Sequence, residues 1–397
     1  MVYYVRFLKT PRIQQQKGVV SITALICITT DLGDSFLAED VDLVVIVREK
    51  GGKIALEKQT KWNAYNRELP ITLSPLPAKL AGKTLELEID TPEHQRSTPL
   101  ETGPVPLVMG AISAPFGPQS APAAKLVQRI IVAPGVQLPV WEETGNSIAR
   151  HIWDAGLATV VYLGETLRGM SNNPPAESKM PALETVLSRD DRPIQVVELG
   201  AGCGIVGIGL AQMLPNCSVL LTDLPEVEEI ITRNINSARQ ASASSVRYQN
   251  LDWEHPPENL CSQLIELILV SDCTYNADSL PVLVSCLDRL VRASPGALIL
   301  VSLKRRHESE TVFFELMRSA GFSSVQDSME LPSEHEQCAQ DLVPWFHSPP
   351  QLDLAFGIPK GTSVTTAPAA SFLLLSQIVS TRRLRDTLNN IPPPGLR

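Results

Sequence analysis

The chain reads as an α/β protein: an open, Rossmann-like sheet of strands and helices preceded by a β-rich, sandwich-like unit. Three observations predict this. The apolar runs Ile194–Leu199, Ser218–Thr222, Leu264–Ser271 and Ala297–Leu303 are strand-length and are separated by helical periodicity, the rhythm of a parallel sheet. Gly200, Gly202 and Gly204 follow the first run, and Ile205, Ile208, Leu210 and Leu214 then repeat at helical spacing, giving strand, glycine turn and helix. Upstream, residues 1–112 alternate with a period of two or form short apolar runs with turn signals between them.

Taken in order, Val20, Ile22, Ala24, Ile26 and Ile28 alternate as one face of a strand. Leu43 to Val47 is a second strand, and Lys50-Gly-Gly-Lys53 turns it back into Ile54. Leu85, Leu87 and Ile89 alternate with Glu86 and Glu88. This unit carries no catalytic constellation and is expected to be a docking or scaffolding module. Residues 113–125 are a linker by their proline and alanine content, and 126–327 form the α/β domain. It opens with a strand at Leu126–Val132 and a helix patterned on Leu157, Val160, Val161, Leu163 and Leu167. Residues 170–192 are expected to form a surface loop. After the glycine turn, strands end at Asp223, Asn250, Ser271 and Leu303, with helices over Leu280–Val291 and Thr311–Ala320. Phe322 starts a sixth strand. Residues 328–397 are read as an insertion, a last strand or short helix near Ser371–Val379, and a disordered tail.

The 397 residues suffice for two cores, with 44% hydrophobic and 19% charged residues and a net charge of −9. That balance argues against nucleic-acid binding through a general basic surface and tolerates a basic protein partner. Seven cysteines, odd in number and without C-x-x-C spacing, predict neither a disulfide framework nor a zinc site, and no metal is expected. No leader or membrane-length apolar run is visible, so a cytoplasmic or also nuclear monomer is expected.

The chemistry gathers at strand ends, where open α/β sheets bind ligands. Glu198, Asp223, Asp252, Asp272 and Lys304 each close a strand. A carboxylate at Glu198 beside the glycine turn, with no Gly-Lys-Ser/Thr ending, disfavours a phosphate ligand and suits a cationic one. S-adenosylmethionine, with its sulfonium and ammonium, is such a ligand. Asp223 lies where a carboxylate takes ribose hydroxyls, a helix cap being its alternative. Asp252 and Trp253 would bracket an adenine, with the indole as its packing surface; a core tryptophan is the alternative there, as it is for Trp153.

Taken together, Glu143-Thr-Gly145 through Ile152-Trp-Asp-Ala155, Val197-Glu-Leu-Gly-Ala-Gly-Cys-Gly204, Thr222-Asp-Leu224, Leu251-Asp-Trp253 and Asp272-Cys-Thr-Tyr275 resemble the seven-strand methyltransferases of family 16. These include lysine methyltransferases acting on elongation factors, ribosomal proteins and chaperones. The resemblance implies a seven-strand sheet and S-adenosylmethionine held by Trp153, Glu198, Gly200, Ala201, Gly202, Gly204, Asp223, Leu224, Asp252, Trp253 and Ser271. It also implies methyl transfer at Asp272 and Tyr275 to an exposed lysine of a protein, with no nucleic acid or membrane partner. Two other functions remain open at this point. One is methylation of a small amine, the other a binding module that keeps the fold without the chemistry.

Overall fold

In the computed structural model, residues 1–49, 52–92, 105–117, 122–145, 147–172, 180–261, 263–304, 311–330 and 372–380 are described here. The amino-terminal part is a sandwich of two sheets. Strands β1 (Tyr3–Gln16), β2 (Val19–Thr30), β3 (Val41–Glu49), β4 (Ile54–Trp62), β5 (Leu69–Leu73), β6 (Leu85–Asp90), β7 (Val108–Met109) and β8 (Ala111–Ser113) precede the hairpin β9 (Leu126–Ala133) and β10 (Val136–Glu143). One sheet has the order β5-β2-β1-β7, the other β10-β9-β8-β6-β3-β4. Alternate residues of β2, β3 and β6, among them Ile22, Ile26, Val45 and Leu87, fill the space between the sheets with Trp62 and Phe116. The alternation at Val20–Ile28 thus marks a half-buried strand, as expected. β1 was not anticipated, since Tyr3–Gln16 mixes polar and apolar residues without a clean period.

Two boundaries expected from composition fall inside packed structure. The proline-rich stretch is tied down where Phe116 bridges Leu85 through backbone bonds of 2.7 and 2.8 Å. The hairpin 126–143, assigned by sequence to the α/β domain, pairs through β9 with β8 and completes the second sandwich sheet. Its one buried face is shared: Val127 packs in the sandwich, while Ile131, Leu138 and Val140 pack on the α/β core. That same core takes in Val2, Tyr4 and Met109 from the sandwich, so apolar packing runs without a break from one part to the other.

The α/β part contains helices α1 (Asp154–Met170), α2 (Pro181–Leu187), α3 (Ile205–Met213), α4 (Glu228–Ser237), α5 (Glu258–Cys261), α6 (Leu280–Ala293) and α7 (Thr311–Ser319). Its strands are β11 (Ile194–Leu199), β12 (Cys217–Asp223), β13 (Ser245–Asn250), β14 (Leu267–Ser271), β15 (Leu298–Lys304), β16 (Phe322–Glu330) and β17 (Phe372–Ser380). They form the seven-strand order β13-β12-β11-β14-β15-β17-β16. The first five are parallel, while β17 enters antiparallel between β15 and β16. The strand-or-helix ambiguity at 371–379 resolves as a strand. The expected surface loop at 170–192 contains α2, whose Leu183 and Leu187 are buried. The rest of the insertion and the expected disordered tail, at 331–371 and 381–397, lie outside the described residues. Among the described residues, no helix is long and apolar enough to cross a membrane.

Candidate active site

The switch point of this sheet lies between β11 and β14, whose connections run to opposite sides. The carboxyl ends of these strands and of β12 meet the start of α1 around a cavity of about 460 Å³. After β11 the backbone turns at Gly200 and Gly202 with φ of +67° and +53°, a region that side chains disfavour. A Cβ on Gly200 would run into the Cys273 sulfur, and one on Gly202 would sit 2.9 Å from the Ala149 carbonyl oxygen. The glycine loop is therefore pressed between two other cavity walls, the Asp272–Tyr275 segment and the 148–150 turn.

Carboxylates hold that loop in shape. Glu198 is buried, and its Oε2 accepts the Gly207 N–H at 2.7 Å near the start of α3. Burial pushes its carboxyl up to about 8, the Gly207 N–H opposes this, and Asp223 reinforces it. Asp223 accepts the Gly202 N–H at 2.8 Å and the Leu224 N–H at 2.7 Å, one on each oxygen. It thus clamps the glycine loop and caps the following turn while lining the cavity. The ligand and capping alternatives for Asp223 are compatible, because each oxygen keeps a second acceptor direction.

The cavity wall includes Trp153, Glu198, Gly200, Ala201, Gly202, Asp223, Leu224, Asp252, Trp253, Ser271, Asp272 and Tyr275, all singled out by sequence. Gly204 is the exception. A Cβ there would meet Leu221, Ile208 and Ile231 at 3.0–3.1 Å, so Gly204 serves the packing of α3 and α4 on β12. Lys304 also departs from its expected place at the switch point. Its Nζ turns away to Asp154 and Asp31, at 2.6 and 3.2 Å, and is buried with them. The neighbouring Arg305 and Arg306 lie outside the described residues.

Trp253 is half-buried, with its ring edge 3.3 Å from the position of a Cβ on Gly200. Asp252 stands at the exposed rim, where its Oδ1 accepts the Glu254 N–H. Asp272 is buried at φ +55°, a backbone conformation rare for a residue with a side chain. Its N–H donates to Ser302 across the sheet. Tyr275 is 62% exposed at the cavity mouth. The turn into α6 is capped by Asn276, whose Oδ1 accepts the Asp278 N–H. Sequence reasoning missed His151, Gly156, Cys203 and Cys273 as wall residues, although all four sit inside or beside the motifs quoted above. For Gly156 the signal is steric: a Cβ would lie 2.8 Å from Ile205.

Charge sets the character of the cavity. Its described lining holds Glu198, Asp223 and Asp272 in its depth and Glu226, Asp252, Glu254 and Asp278 at its rim, and neither lysine nor arginine. Such a site attracts cations and repels phosphates.

Residues 133–320 match the family model described as lysine methyltransferase. Over 182 residues the chain is 31% identical to the EEF1A lysine methyltransferase 3 of Xenopus tropicalis, covering 45% of this chain and 69% of that one. The chain belongs to this lysine methyltransferase family. A UPF0665 family protein of Schizosaccharomyces pombe is 27% identical over 320 residues, covering 78% of this chain and 91% of that one. That alignment is longer than all of the chain beyond the linker, so it reaches into the sandwich. The protein-lysine N-methyltransferase rrg1 of the same yeast is 37% identical over 139 residues, but this chain spans only 45% of its length. In this lysine methyltransferase the matched region begins inside the β9–β10 hairpin and ends before β16. It holds every wall residue of the cavity.

Proposed function

We propose that this chain moves a methyl group from S-adenosylmethionine to the side-chain amine of a lysine in another protein. The observation that carries the proposal is the cavity whose described lining holds carboxylates and neither lysine nor arginine, beside a loop in which Gly200 and Gly202 leave no room for a Cβ. The residues fit the cofactor's chemistry: a cationic ligand without phosphates finds acidic walls, close backbone and an aromatic face at Trp253. Glu198, Gly200, Ala201, Gly202 and Asp223 would hold its polar groups, and Trp153, Leu224, Asp252, Trp253 and Ser271 the remainder. When bound, the cofactor supplies a methyl group activated by a sulfonium.

The chain's own residues then have two tasks. One is to present a neutral amine, since a free lysine side chain has a pKa of about 10.4. Asp272 attracts the ammonium into the cavity and accepts a hydrogen bond from it. Tyr275 orients the nitrogen at the mouth. Burial, then Cys273, Asp223 and Asp272, push the tyrosine hydroxyl up, so at neutral pH it stays a neutral phenol with an acceptor oxygen. The other task is to hold donor and acceptor in line and exclude water, which carries most of the rate in such a displacement.

The exposed rim of Glu226, Asp252, Glu254 and Asp278 supports a macromolecular, lysine-bearing substrate over an enclosed small amine. The relative named for EEF1A supports a translation-related protein, and a chaperone is the other class that the family resemblance implies. A cytoplasmic or also nuclear location belongs to the same proposal. Incubating the purified protein with isotope-labelled S-adenosylmethionine and a cell extract tests it, with mass spectrometry locating the label. Labelled lysine in a protein, absent with Asp272→Ala, is expected. Label only in small amines, or none despite cofactor binding, overturns the proposal.

A further inference from the structure

The cavity wall is braced from outside the matched methyltransferase region. Ile152 and Trp153 form part of its wall, immediately before α1. The backbone N–H groups on either side of Trp153 are both taken by carboxylates. Ile152 N–H donates to Glu142 Oε2 at 2.8 Å, and Asp154 N–H donates to Asp31 Oδ2 at 3.4 Å. Each carboxylate is fixed by the sandwich. Glu142 pairs with Arg129 at 2.5 Å, and Arg129 donates in turn to the carbonyls of Val5, Met109 and Gly110. Asp31 follows β2 directly, and Arg6 donates to its carbonyl oxygen at 2.8 Å.

The Asp31 side forms a buried node. Lys304 Nζ donates to Asp31 Oδ1 and Asp154 Oδ2, Tyr4 Oη donates to Asp154 Oδ1 at 2.9 Å, and the Val2 N–H donates to Asp154 Oδ2 at 3.3 Å. Asp31, Asp154, Lys304 and Tyr4 are all at most 5% exposed. Burial, then the neighbouring Asp31, push the Asp154 carboxyl up against the pull of Lys304. Taking several charges out of water is costly and stabilises a fold only with near-complete pairing. A helix start needs no such cluster, because a single serine or aspartate caps it. What the cluster adds is a fixed relation between the sandwich, the end of β15 and the segment bearing Trp153.

We propose that Asp31 is a positioning residue for the cofactor site, and that the sandwich is a working part of the enzyme because it holds the Ile152–Trp153–Asp154 wall in its binding geometry. This rests on the cofactor reading given above. Asp31 touches no cavity, so its effect runs through the Asp154 N–H and the Lys304 bridge.

The test uses the full chain carrying Asp31→Ala, Asp31→Asn or Val45→Ala. Val45 is buried in the sandwich core, away from the node, and serves as an equally sandwich-borne destabilisation. S-adenosylmethionine affinity is measured by calorimetry well below each melting temperature, and hydrogen exchange of peptides spanning 148–158 is followed without cofactor. Asp31→Ala should weaken affinity by about tenfold or more, the scale of one lost charge-assisted bond, and should speed exchange across the segment. Asp31→Asn, which retains one acceptor oxygen, should fall between it and wild type. Val45→Ala should lower the melting temperature and leave both readouts unchanged. Wild-type affinity and exchange in folded Asp31→Ala protein overturn the proposal, as does an equal loss in Val45→Ala. A wild type that binds no S-adenosylmethionine overturns the cofactor reading, and this proposal with it.

Discussion

Gly200→Ala is the sharpest probe of the cavity, because the structure specifies what the added methyl meets. Gly200 sits at φ +67°, and its Cβ would overlap the Cys273 sulfur. Holding a residue with a side chain in that backbone region costs about 1–3 kcal/mol. Forcing an extra carbon into a packed contact costs about 1–3 kcal/mol more. The sum is a large part of the roughly 5–15 kcal/mol that holds a domain folded. Cys273→Ala alone removes one buried atom, worth about 1 kcal/mol. The double variant keeps the backbone cost and escapes the overlap. It should therefore be more stable than the two single losses predict, by about 1–3 kcal/mol of coupling. Urea denaturation of the four proteins gives that coupling, and S-adenosylmethionine titration on the same samples should show affinity lost in Gly200→Ala and partly regained in the double variant. Single losses that simply add, within about 0.5 kcal/mol, would refute the contact between the glycine loop and the Asp272–Tyr275 segment.

Further outcomes follow from the same geometry. Asp272→Ala and Tyr275→Phe should leave cofactor affinity within a few-fold of wild type while single-turnover methylation drops by about 100-fold or more; unimpaired turnover in folded protein would remove both from the chemistry. Asp223→Ala should weaken S-adenosylmethionine by about tenfold or more, read by calorimetry, and an unchanged dissociation constant would leave Asp223 a clamp of the glycine loop alone. Glu198 is an acid raised from 4.5 to about 8 on folding, so its contribution to stability is full below pH 4.5 and is lost as pH rises to about 8. Thermal melts of the unliganded protein should show that decline, which Glu198→Gln should flatten. Because a cation favours the ionised carboxylate, S-adenosylmethionine should bind more tightly as pH rises toward 8 and should release a proton, measured by titration in buffers of different ionisation enthalpy.

What the sequence revealed was local. The run Ile194–Leu199 and the helix beginning at Ile205 coincide with β11 and α3, because a short apolar run bounded by proline and glycine has few other fates. Strand-end carboxylates were legible for the same reason: once the strands are placed, Asp223, Asp252 and Asp272 must reach one edge of the sheet. What escaped was long-range. Asp31, Asp154 and Lys304 meet across separations of 123 to 273 positions, and nothing near Lys304 in the chain tells that its ammonium turns inward. Gly204 shares its spacing with Gly200 and Gly202 and differs only in what surrounds it, three branched core side chains instead of the Cys273 sulfur and the Ala149 carbonyl of the cavity walls. The proline-rich composition of 113–125 was misleading because Phe116, a single buried ring, fastens that stretch to β6.

The pairing of β9 with β8 bears on how this enzyme can be handled. A fragment beginning at residue 126 would retain every side chain of the cavity wall. Yet it would strip β9 of its neighbour, leave Arg129 without the carbonyls of Val5, Met109 and Gly110, and turn Val127, which packs in the sandwich core, to water. A two-stranded ribbon with a bare hydrogen-bonding edge is a template for pairing with other chains. Such a fragment should aggregate, however complete its chemistry. The segment that the family model matches is thus smaller than the segment that the hairpin ties together.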